Sequence, residues 1–210
     1  MKMKNKRRLP VLIEDSIGSV QALRTEIASK FEMEVRTQLK RTTCTKGCAS
    51  CCYHPVTISI FEGVLLYRWL VDRHLWTTKL REKLKDTADR QYGTSYEVWL
   101  MALIPCPLLT DQKECSVYEA RPFSCRTYYS AGDPHYCHPH RLGPLTRIVD
   151  RTLVANTFHA EQEKILRRHQ LQFLTMPVGT ALLLAEQLCN EDIDLGAIDR
   201  FLYQEYVDKG

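Results

Sequence analysis

The run Cys44-Thr45-Lys46-Gly47-Cys48-Ala49-Ser50-Cys51-Cys52 places four of the chain's nine cysteines within nine residues. Four more follow at Cys106, Cys115, Cys125 and Cys137, and only Cys189 stands apart. A lone apolar thiol can sit anywhere in a core. Eight gathered into two loop-like stretches read as soft-metal ligands or as disulfides. Thiolates select zinc, copper(I) or iron–sulfur clusters. Close spacing lets one turn of chain present several sulfurs to one centre, and Gly47 permits the tight turn this needs.

The compartment decides between the two readings. The start, Met1 to Arg8, is basic, but the apolar stretch Leu9 to Ile13 is five residues and stops at Glu14. A secretory signal wants roughly 7–15 apolar residues. No stretch approaches the ~20 apolar residues of a membrane span; Val64 to Val71 is interrupted by Arg68 and closed by Asp72. The expected home is the cytoplasm, where thiols stay reduced and a cysteine cluster binds metal or does chemistry. At 210 residues the chain can build a core without covalent staples. Its formal charge is +4, and a four-thiolate centre holding a divalent charge adds about −2. The basic residues Lys2, Lys4, Lys6, Arg7 and Arg8 are concentrated but terminal. Residues 1–13 therefore read as a basic flexible tail and disfavour nucleic acid as a partner.

The rest, 14–210, reads as a single mainly α domain, its helices packed around an irregular cysteine-rich metal-binding core. Val20, Leu23, Ile27, Phe31, Val35 and Leu39 recur at helical steps and predict an amphipathic helix that ends just before Cys44. Ser59 and Glu62 form a capping box that opens a second helix. Another is predicted around Lys79 to Arg90, and Thr94 with Glu97 predicts a shorter one ended by Pro105. From Cys106 to Arg141 there is little period. Loops of that length are functional or disordered, and the cysteines argue for a functional loop held by metal. Helix returns over Leu145 to Leu174, with an interruption near Asn156. Pro177 and Gly179 break the chain before closing helices at Ala181 to Leu188 and Leu195 to Tyr206. The C-terminal helices together span 145–207.

The candidate ligands are Cys44, Cys48, Cys51, Cys52, Cys106, Cys115, Cys125 and Cys137. Four complete a zinc or a four-iron site, so eight fill two sites, or one with spare thiols. Cys51 and Cys52 are adjacent, and neighbouring side chains point apart, which makes sharing one ion awkward. Spacing alone groups Cys44, Cys48 and Cys51 with Cys125, leaving Cys52, Cys106, Cys115 and Cys137. His54, His135, His138 and His140 are secondary candidates, since imidazole suits zinc and iron. His74, His159 and His169 read as surface residues of helices, Cys189 as a core thiol and Tyr118 as packing. Arg121 and Arg126 flank Cys125, where a cation favours the thiolate and offsets site charge. C-x3-C-x2-C also occurs in radical S-adenosylmethionine enzymes, but Ser50 stands where those carry an aromatic and the chain reads helical.

Taken together, Cys44-x3-Cys48-x2-Cys51-Cys52, Cys106-Pro107-Leu108-Leu109 and Cys115-Ser116-Val117-Tyr118-Glu119-Ala120-Arg121-Pro122-Phe123-Ser124-Cys125-Arg126 resemble the YkgJ-type cysteine-cluster family of zinc- or iron-chelating domains. The resemblance runs over residues 44–140. It implies metal binding, with iron–sulfur clusters in some members. One branch contains flagellin lysine N-methylases that use S-adenosylmethionine; this chain is short for that branch and lacks a glycine-rich methyltransferase loop.

The expected function is a metal-binding protein holding an iron–sulfur cluster, of the 4Fe-4S type, or zinc. Its role is redox, metal handling or interaction with a protein partner. The alternative is a cluster-dependent enzyme that modifies a protein substrate, such as a lysine N-methylase. No carboxylate or histidine pair stands out as a catalytic acid or base.

Overall fold

The computed structural model describes residues 11–39, 42–45, 47–138, 140, 151–168 and 173–190. The basic stretch before residue 11, the predicted helical residues 145–150 and the closing helix at 195–206 lie outside these. Seven α-helices occur among the described residues: α1 Val11–Leu39, α2 Ile60–Asp72, α3 Thr78–Gln91, α4 Tyr96–Met101, α5 Phe123–Arg126, α6 Arg151–Arg168 and α7 Val178–Asn190. Two short strands, β1 Thr57–Ser59 and β2 Thr175–Pro177, pair antiparallel with Ile58 opposite Met176. The chain is thus mainly α, as its periodicities predict. No helix among the described residues is long and apolar enough to cross a membrane.

The centre of the fold is α2 against α7. Ile60, Phe61, Val64, Tyr67 and Leu70 recur at helical steps on α2 and are all buried. They meet Ala181, Leu182, Ala185 and Leu188 of α7, with Leu84 of α3 beside them. The two axes approach closely because Gly63 has no side chain: a Cβ there would stand 2.9 Å from the Ala181 carbonyl oxygen. Leu108, Val117 and Ala120, from the cysteine-bearing loop, enter this same core. A second, smaller core joins Ala28 of α1, Phe123 of α5 and Phe158 of α6, flanked by Leu23 and Ile27. Long α1 serves both, since Ile17 and Val20 belong to the first.

Side-chain caps fix the starts of α2, α3 and α4. The Ser59 hydroxyl accepts the Glu62 N–H at 3.1 Å, as the capping box predicts, and Thr77 does the same for Leu80. At α4 the outcome differs. Ser95, one residue after the predicted Thr94, caps Val98, while the Thr94 hydroxyl donates to the Gln91 carbonyl. That helix ends at Met101, ahead of Leu103 with φ +48°, rather than at Pro105. The α6 backbone runs through Asn156 without a break. The expected break falls at Pro177, where β2 ends and α7 starts at Val178, while Gly179 lies inside that helix.

Candidate metal centre

All nine cysteines are free thiols. The eight clustered ones are placed by a mixture of local turns and longer-range backbone bonds. Cys44 follows α1 in a stretch tied to the far end of the loop: Thr43 N–H donates to Ser130 O at 2.9 Å, and the Thr43 hydroxyl to Gly132 O at 2.6 Å. The Cys48 N–H closes a turn on Thr45 O, with Gly47 at φ +84° in the left-handed region that glycine adopts freely. Cys51 and Cys52 sit in a 3-10 turn, Ser50–Tyr53. The Cys106 N–H donates to Cys52 O at 2.8 Å, which joins the two cysteine stretches directly. Cys115 pairs with Leu109 in a β-bridge. Cys125 rides on α5, which Phe123 anchors in the second core. Cys137 closes the 3-10 turn Pro134–Cys137 and is buried.

The thiols form two overlapping neighbourhoods that share Cys51. Cys125 lies near Cys51, Cys115 and Glu62, Cys106 near Cys125 and Cys115, and Cys115 near Cys51. Cys137 lies near Cys44, Cys48 and Cys51. Cys51 therefore borders both sets, and its side chain lies next to that of Cys52. Burial pushes Cys106 up to about 12, with the neighbouring Cys125 adding to it. Burial pushes Cys125 to about 12 as well, aided by Cys51 and Cys115. Cys51 is raised by the adjacent Cys52 side chain and then by burial; burial raises Cys115 and Cys137.

Opposing donors already aim at these sulfurs. The N–H of Leu108 points to Cys106 and that of Val117 to Cys115, each two residues on. Ser130 N–H lies 3.5 Å from the Cys44 sulfur, and the Ser130 side chain bonds Cys137. The Arg121 charge faces Cys51, Cys115 and Cys125. Such groups favour the thiolate over the thiol, which a metal ligand requires. Among the described residues, no three Cys, His, Asp or Glu side chains close on one point as a ligand group. The chemistry of the donor set still fits a soft metal: four thiols lie near one another, with backbone N–H groups on Cys106 and Cys115, the Arg121 charge nearby, and the Glu62 carboxyl an acid also felt by Cys125.

The histidines take other roles. His54 Nε2 lies 2.7 Å from the Cys137 carbonyl oxygen; a carbonyl only accepts, so that nitrogen donates and is not a ligand. His138 stands between the rings of Tyr53 and His140, and His140 Nε2 bonds Met101 O. His135 is exposed against Tyr136. His159 is not a surface residue of its helix: it is half-buried between Phe158 and Phe173, and burial lowers its pKa. Tyr118 is exposed rather than packed and carries the Arg121 guanidinium over its ring at 3.7 Å. Cys189 lies half-buried beside Arg68 and Glu14, away from both sets.

Residues 43–157, more than half of the chain, match the pattern of a family described as "CxxCxxCC: Putative zinc- or iron-chelating domain". The chain belongs to the CxxCxxCC family. In the CxxCxxCC name each of the first two spacings is two residues; here the first is three, Cys44 to Cys48, and the interval contains Gly47. The CxxCxxCC match covers every clustered thiol, both sets and Arg121, and stops before β2 and α7. No curated protein and no solved structure matches the chain.

Two anchors of the site escaped the sequence reading. Arg24 sits among the apolar positions of α1, and Glu62 reads there only as half of a capping box. A charged residue on the apolar stripe of a helix is the signal that could have found both, since such groups are buried only when partnered.

Proposed function

We propose that this protein holds an iron–sulfur cluster through Cys51, Cys106, Cys115 and Cys125, with Cys44, Cys48 and Cys137 as a second thiol set beside it and Cys52 at the junction. What supports the reading is that Cys51, Cys106, Cys115 and Cys125, drawn from the two cysteine stretches, lie close enough to raise one another's pKa, with backbone N–H groups on Cys106 and Cys115 and the Arg121 charge nearby. The thiol-only set matches the softness of iron–sulfur centres, and zinc is the rival occupant. A bound cluster supplies electron transfer or a redox-sensitive staple. Lys83 and Arg121, which face the set, offset part of its negative charge. The role is redox, metal handling or a metal-dependent interaction with a protein.

Anaerobic purification with elemental analysis and a visible spectrum tests this. A brown protein with broad visible absorbance and stoichiometric iron and sulfide supports the cluster. A colourless protein with stoichiometric zinc overturns the cluster and keeps the chelating centre. A protein free of bound metal overturns both.

A further inference from the structure

We infer that Arg24 and Glu62 are positioning residues of the thiol centre: from two different helices they clamp the backbone of Ala120–Phe123 and so set where Arg121 and Cys125 stand. The inference rests on the metal-binding reading above and extends it to residues that carry no ligand atom.

The segment is short and cannot order itself. Helix α5 has four residues, well below the length at which a helix is stable alone. Its conformation is imposed from outside. Four consecutive carbonyls, Tyr118 to Arg121, each accept from an arginine. Arg121 Nε reaches Tyr118 O at 3.1 Å and Arg126 Nη2 reaches Glu119 O at 2.8 Å. Those two bonds are local. The other two come from α1, where Arg24 Nη2 donates to Ala120 O at 2.9 Å and Arg121 O at 2.5 Å.

Glu62 holds the other side. Its Oε1 accepts the Phe123 N–H at 2.9 Å, the first N–H of α5 and one that no helical carbonyl can satisfy. Glu62 is 2 % exposed, and no partner meets hydrogen-bond geometry at its Oε2. Burying a carboxyl group is costly, and a capping role alone does not call for it, because the Ser59 hydroxyl already caps α2. What Glu62 adds is the grip on Phe123, two residues before Cys125. Arg24 lies outside residues 43–157, so the clamp reaches beyond the segment that the family pattern covers.

The test uses the full chain, reduced and metal-free, titrated with zinc(II) against a chromophoric chelator; cobalt(II) absorbance at saturation reports thiolate ligation. Arg24→Gln and Glu62→Leu should weaken zinc(II) binding by about 10–100-fold, the range typical of groups that orient ligands. Arg24→Lys and Glu62→Gln keep a donor and an acceptor and should restore most of it. The metal-free unfolding midpoint is measured alongside. If Glu62→Leu does not fold, Arg24→Gln decides the question. Unchanged affinity and cobalt absorbance in Arg24→Gln would overturn the clamp while leaving the metal reading intact, as would an affinity loss fully accounted for by lower metal-free stability. A wild-type protein that binds no zinc(II) and also carries no iron on anaerobic purification would overturn the metal reading, and the clamp's role with it.

Discussion

Phe158 of α6 stacks on Phe123 of α5, with ring centroids 4.2 Å apart and 25° between the planes. Both side chains are fully buried. This stack anchors α5, the helix that carries Cys125, through a residue distant in sequence. Phe158→Ala should cost about 3–5 kcal/mol, as large-to-small aromatic substitutions in cores do. Urea unfolding checks it, and a loss below 1 kcal/mol would show that the second core contributes little.

Glu62 gives the fold a pH dependence of known sign. Burial raises its carboxyl above the ordinary value of 4.5, with the Phe123 N–H and Arg24 pulling it part of the way back. The folded chain then holds this proton more tightly than the unfolded chain. Stability from this group is fully present below about pH 4.5 and is lost as pH rises through the elevated value. Glu62→Gln keeps an acceptor for Phe123 but cannot ionise. Its metal-free unfolding midpoint should fall less from pH 5 to 8 than that of the wild type; equal slopes would refute the assignment.

The cysteines separate into sulfurs that face others and one that does not. Cys125→Ser should lower the metal content of anaerobically purified protein, because it removes a member of the four-thiol set. Cys189→Ser should leave metal content unchanged, since Cys189 neighbours Arg68 and Glu14 instead. The reverse pattern would sink the proposed ligand set.

At Gly63 a methyl group would meet the Ala181 carbonyl at 2.9 Å and the Ala181 Cβ at 3.2 Å. Both belong to a packed helix and cannot swing aside, so α2 and α7 must separate. Gly63→Ala should therefore destabilise by about 1–3 kcal/mol, against the ~1 kcal/mol that alanine gains over glycine within a helix. Thermal or urea unfolding reads the sign directly.

Most of the helices were legible because their signals are local. The steps from Val20 to Phe31 on α1 and the Ser59 cap of α2 each work within a few residues. The α4 cap shifted by one position because Thr94 and Ser95 are both competent, and Thr94 found the Gln91 carbonyl instead. The membership of the two thiol sets was not legible. The expected group of Cys44, Cys48, Cys51 and Cys125 says nothing of Cys115, which also lies near Cys51 and Cys125. That arrangement follows from the Cys106–Cys52 backbone bond and the seating of Leu108 and Val117 in the core, which are long-range contacts. His159 was misread for a similar reason: its neighbour Phe173 lies past the end of α6.

The ladder of β1 on β2 and the close seat of Gly63 on Ala181 also bear on inheritance. The recognisable family segment ends at residue 157, but the partner that covers α2 begins at residue 175. The stretch that evolution labels and the stretch that folds cooperatively therefore have different boundaries. Expressed alone, residues 43–157 would bare Ile60, Val64 and Leu70 to water along with an open edge of β1, and should aggregate instead of unfolding in one transition. Those thiols rest on a foundation, α7, that lies outside the segment the family pattern covers.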